Sequence, residues 1–114
     1  MSSISISVKK PIENIKLVGE IKKITGISPE YIKKRLLEEK EGIFFTAELF
    51  LNDHKKIEKK IRGLLKVLDK AKAEVFIMEI KEDESWEDVK VFDDYEISKE
   101  ELLTLLDENN ENFA

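Results

Sequence analysis

The sequence predicts a small α+β domain: a sheet of three or more strands with helices on one face, in the order β-α-α-β-α-β, followed by a C-terminal strand and a short helix. Three observations carry this. Residues 3–9 alternate Ser and Ile with the two-residue period of a strand. Residues 54–72 carry an apolar stripe with the period of a helix. Finally, only four Gly and two Pro interrupt 114 residues, so the elements should be long and the loops few. A chain of this length supports one hydrophobic core and is too short for two comfortable ones.

In the first strand, Ile4, Ile6 and Val8 fall on one face and Ser3, Ser5, Ser7 and Lys9 on the other, which predicts a half-buried strand. Pro11 ends it. Asn14 is placed to cap a helix running to about Thr25, with Leu17, Val18, Ile21 and Ile24 at helical spacing and Gly26 as the stop. Ser28-Pro29-Glu30 is a second helix start: a capping hydroxyl, a proline at the first helical position, and an acid near the positive helix end. That helix should reach about Lys40, with Gly42 just beyond. Ile43 to Leu51 is β-branched and aromatic, with Ile43, Phe45, Ala47, Leu49 and Leu51 on one face, and predicts the second strand.

Asn52-Asp53 offers a cap for the third helix, His54 to about Lys72. Ile57, Ile61, Leu64, Leu65, Leu68 and Ala71 form its stripe, and the other faces are nearly all charged. Ala73 to Ile80 is a strand with Phe76, Met78 and Ile80 on one face and Val75 and Ile77 on the other. It requires cover on both sides. Glu82 to Asp88 is an acidic linker, and Val89 to Ile97 predicts a short strand interrupted by Asp93-Asp94. Ser98 and Glu101 stand at capping-box spacing before a helix through Leu102, Leu103, Leu105 and Leu106 to about Glu108.

Charge divides the chain at the same place as the elements. Residues 1–81 hold 18 Lys and Arg against 12 Asp and Glu, or +6. Residues 82–114 hold 2 Lys against 13 acids, or −11, and the two sum to the net −5. The expected organisation is an α+β domain over 1–81 with an acidic extension, 82–114, docked on it. With no Cys there are no disulfides and no thiolate chemistry or cysteine-ligated zinc. No apolar run approaches the length of a membrane span, and the N-terminus reads as a strand, not a signal peptide, so a cytoplasmic home is expected.

Residues 3–81 resemble the C-terminal domain of the bacterial ribosomal stalk protein. The resemblance rests on IKLVGEIKKITGISPEYIKKRLLEE followed by a strand, a long charged helix and EVFIMEI. Thr25-Gly26-Ile27 stands where that family turns between its first two helices, Lys33 on the exposed side of the second, and Ala73-Glu74-Val75 at the final strand. The resemblance implies the β-α-α-β-α-β fold and a role of the two-helix face in binding translation factors. Gly19 occupies the position of a family lysine, with Lys22 nearby, and the chain continues past the last strand at which the family domain ends.

Catalysis is not expected. His54 is the sole histidine, no phosphate-binding Gly-rich loop or nucleophile elbow occurs, and Asp93-Asp94 with Glu96 matches no calcium loop, so no metal or cofactor is expected either. Lysines crowd the helices, but glutamates are interspersed, which argues against nucleic acid as a partner. The extension is the expected partner-binding region: Trp86, Glu87, Asp88, Phe92, Asp93, Asp94, Tyr95 and Glu96 combine aromatic contact area with acids that steer a basic partner. Alternatively, these aromatics fold back on the face of Val75 and Ile77. Compact size, no catalytic apparatus and a bacterial-looking composition lead to an immunity- or antitoxin-type inhibitor that neutralises a basic toxin. The alternative is a ribosome- or translation-linked adaptor acting through Val18, Lys22 and Lys33. The oligomeric state stays open, with the second strand or the extension available to pair across a dimer.

Overall fold

A computed structural model describes residues 3–49, 54–81 and 84–113. The elements are β1 (Ser3–Val8), α1 (Ile15–Thr25), α2 (Pro29–Leu37), β2 (Phe45–Glu48), α3 (His54–Lys70), β3 (Val75–Ile80), β4 (Glu96–Ile97) and α4 (Lys99–Phe113), with 3₁₀ turns at Glu39–Glu41, Trp86–Asp88 and Phe92–Tyr95. The expected α+β class and order hold. The strands form one antiparallel sheet in the order β2-β1-β3-β4. Because β2 and β3 each run antiparallel to β1, they run parallel to one another across it.

Local chemistry sets the helix ends. Asn14 Oδ1 accepts the Leu17 N–H at 3.0 Å, and Gly26, at φ 77°, closes α1 by donating its N–H to the Lys22 carbonyl at 2.7 Å. Only glycine adopts that left-handed conformation without strain. Thr25 Oγ1 donates to the Ile21 carbonyl and accepts the Ile27 N–H, fixing the turn into α2. Ser28 and Pro29 start α2 as expected. At Gly42 a Cβ would collide with the Arg35 carbonyl oxygen, so the chain can pass under the end of α2 only without a side chain. The cap expected at Asn52-Asp53, and Leu51, lie outside the described residues.

Register assigns each residue to a face. Ile4, Ile6 and Val8 of β1 pair with Ala47 and Phe45 of β2 and with Ile77 and Val75 of β3. This face carries the main core, to which the helices contribute Leu17, Val18 and Ile21, then Ile32 and Leu36, then Ile61, Leu64, Leu65 and Leu68, and finally Leu102 and Leu106. A fully buried aliphatic side chain of this kind contributes about 1.5–3 kcal/mol. The opposite face holds Ser5 and Ser7 beside Met78 and Phe76.

Three expectations are corrected. First, β1 is not half-buried: Ser5 and Ser7 are as inaccessible as the isoleucines, because residues 84–95 lie over the serine face. Second, the aromatics of the extension pack with Phe76, Met78 and Ile80, not on Val75 and Ile77, which face the helices. Third, the strand expected within Val89 to Ile97 is present but confined to Glu96–Ile97. A 3₁₀ turn at Phe92–Tyr95 precedes it, and α4 runs past Glu108 to Phe113. Smaller boundaries also shift: α2 ends at Leu37 with a 3₁₀ turn after it, β2 is confined to Phe45–Glu48, α3 ends at Lys70 and β3 begins at Val75.

Candidate functional site

Residues 84–95 form a strap across the serine face. Trp86, Val89, Phe92 and Tyr95 all pack into the second apolar cluster with Phe76, Met78, Ile80 and Ile43. These four residues recur every third position, the period of a 3₁₀ turn, so an irregular segment still presents one apolar side. That spacing was present in the sequence, but a search for strand alternation passes over it. Tyr95 donates its hydroxyl to Glu84 Oε2 at 3.2 Å, and Glu84 also accepts the Lys81 N–H at 2.9 Å.

The strap is latched to the body by charge. Lys40 Nζ donates to Asp93 at 2.7 Å and lies 5.1 Å from the centre of the Phe76 ring, while the Lys40 carbonyl accepts the Ser7 hydroxyl at 3.0 Å. The hydrogen bond to Asp93 holds the Lys40 ammonium above its ordinary value of 10.5. Lys9 pairs with Glu96 at 3.0 Å. On the far side Arg62 bonds both Glu58 and Asp107 at 2.7 Å, tying α4 to α3, and these partners keep it firmly charged.

The eight residues expected to bind a partner are therefore divided. Trp86, Phe92 and Tyr95 are half-buried in the strap's own packing, and Asp93 and Glu96 are engaged by lysines of the body. Glu87 and Asp94 are exposed and, among the described residues, their side chains have no partner. The Asp88 side chain lies outside the described residues.

A second surface lies between the first two helices. The start of α1 and the end of α2 enclose a groove of about 370 Å³ lined by Ile12, Glu13, Asn14, Ile15, Val18, Lys33 and Leu37. Ile15 is 80% exposed and Leu37 48% exposed, although both are large aliphatic residues. The Ile12 N–H donates to the Leu36 carbonyl at 3.1 Å, which brings the segment before α1 against the end of α2 and closes one side of the groove. Of the residues expected on the two-helix face, Val18 and Lys33 line it and Lys22 does not. Helical periodicity alone leaves Ile15 as a stray first-turn residue, because its neighbour Leu37 is remote in sequence.

Among the described residues no group of His, Asp and Glu is arranged to hold a metal ion, and no helix is long and apolar enough to cross a membrane. No family model, curated protein or solved structure matches the chain.

Proposed function

We propose that this protein is a binding module, not an enzyme, and that it engages a protein partner through the α1–α2 groove. The observation that carries this reading is the pair Ile15 and Leu37. They stand in the open on either side of a preformed concavity, where an inserted apolar side chain would bury them both. Lys33 on the rim supplies polar contact and orientation. The resemblance of residues 3–81 to the stalk C-terminal domain supports the same face by analogy, as an adaptor linked to translation.

A second reading has its own support. Glu87 and Asp94 are exposed and unpaired among the described residues, and Val91 between them is 56% exposed. A basic partner, such as a toxin, could meet this acidic strap and be inhibited by occlusion. The two readings differ in salt dependence, since an apolar groove is insensitive to ionic strength and an acidic patch is not.

The test is site-specific photocrosslinking in the full-length protein, with the reactive group at position 15 or at position 91. Capture of one partner at position 15, abolished by Leu37→Asp and retained at high salt, is the expected result. Capture only at position 91, lost with Glu87→Lys and Asp94→Lys, would overturn the groove in favour of the strap.

A further inference from the structure

We propose that the outer face of α3 is a docking track for a phosphodiester backbone, read without regard to base sequence. Lys55, Lys59, Lys66 and Lys70 are all exposed, and at 3.6 residues per turn they fall within roughly 60° of one another. They occupy the side of the helix opposite the buried Ile61, Leu64, Leu65 and Leu68. At 1.5 Å per residue the row is about 22 Å long. Lys56 flanks it and is also exposed.

The acids interspersed in the sequence do not neutralise this row. Glu58 is engaged by Arg62, which also holds Asp107 of α4, so both carboxylates are taken up on that flank. Asp69 is the other acid on α3. Among the described residues none of the four lysines has an acid within ion-pair distance. The row continues at its C-terminal end, where Lys70 and Lys16 of α1 line one cleft of about 140 Å³ with Asn14 and Glu20.

The chemistry of the row selects its occupant. It offers no exposed apolar or aromatic anchor, because the apolar stripe of α3 is buried against the sheet. It therefore lacks what the core of a protein interface is built from, and lysine is depleted in such interfaces. An anionic membrane surface is disfavoured for the same reason, since an interfacial helix inserts an apolar face. A regular row of ammonium groups matches a polymer with regular negative charge. Lysine, a compact point charge without the planar fork of arginine, suits phosphate oxygens, whose contacts fix position without reading sequence.

The test is fluorescence anisotropy of the full-length protein with labelled duplex DNA and, separately, duplex RNA at low salt, with vesicles of phosphatidylcholine and phosphatidylserine as a third arm. Binding to either duplex is expected, with log K falling against log salt at a slope of about −3 to −4, as four phosphate contacts require. The two duplex arms distinguish the source of the backbone. Lys55→Glu, Lys59→Glu, Lys66→Glu and Lys70→Glu together should weaken binding at least ~30-fold by removing and reversing those contacts. Lys59→Gln with Lys66→Gln should lower the slope by about 2. Lys34→Glu with Lys90→Glu, both exposed and off α3, should change little. Absence of binding to both duplexes, equal binding by the α3 variants, or retention on vesicles alone would each overturn the proposal.

Discussion

The two faces of the sheet are sealed by different means. On one, the strands carry Ile4, Ile6, Val8, Phe45, Ala47 and Ile77 against helices whose leucines and isoleucines recur at regular helical spacing. On the other, a short acidic strap with only single 3₁₀ turns achieves the same exclusion of water over two serines. Small side chains on β1 leave room for the bulk to come from β3 and the strap, so Phe76 and Met78 reach Trp86, Val89, Phe92 and Tyr95 above them. Regular secondary structure is one way to cover a sheet. A recurrent apolar residue at every third position, fixed by a few charge contacts to the body, is another.

The sharpest way to break this comparison is to end the chain after Lys81. Such a truncation bares Phe76, Met78 and Ile80 on one face and removes Leu102 and Leu106 from the other. Loss of the cooperative thermal transition and binding of a hydrophobic dye are the expected outcomes. A sharp transition by calorimetry would show that the acidic segment is an appendage. For this reason point variants in the full chain, not truncations, must separate the binding surfaces.

A smaller effect sharpens the contrast within β1. Among the described residues Ser5 Oγ is buried without a hydrogen-bond partner, whereas Ser7 donates to Lys40. Ser5→Ala should therefore stabilise the protein by about 1 kcal/mol, and Ser7→Ala should destabilise it by about the same amount. Urea unfolding monitored at Trp86, the single tryptophan, reads both. Equal signs would mean that the two serines share one environment.

The smallest effect concerns the latch. Lys40 is raised above 10.5 by Asp93, so its contribution is complete below pH 10.5 and is lost as pH rises through the higher folded-state value. Both groups meet solvent, so salt should screen what the contact adds. The difference in stability between wild type and Asp93→Asn should close as pH rises above 10.5, and at lower pH should narrow with added salt. A difference that grows above pH 10.5 would mean that the carboxylate acts on some other group.

Much of the helical layer was legible in the sequence because its determinants are local. Asn14, Ser28 and the reciprocal pair Ser98 and Glu101 cap where their spacing indicates, the latter with Glu101 N–H to Ser98 Oγ at 3.0 Å and Ser98 N–H to Glu101 Oε1 at 3.3 Å. Gly26 ends α1 for the same reason. The C-terminal strand is shorter than composition suggests, because Val89, Phe92 and Tyr95 count as strand-like although their spacing of three fits a 3₁₀ turn. Of the groove only Val18 and Lys33 were named from the sequence, through the resemblance, since Ile15 and Leu37 become neighbours only when α2 folds back against α1.

By itself the sequence determined the α+β class, the order of the regular elements, the caps at Asn14, Ser28 and Ser98, and the separation of charge along the chain. Tertiary structure alone decided that the serine face is buried, that Asp93 and Glu96 are spent on Lys40 and Lys9, and that Lys55, Lys59, Lys66 and Lys70 have no acidic partner among the described residues. The reason is physical. Propensity and capping act over one helical turn, whereas burial and ion pairing depend on contacts such as Lys40–Asp93, 53 residues apart, that form only when the chain closes on itself.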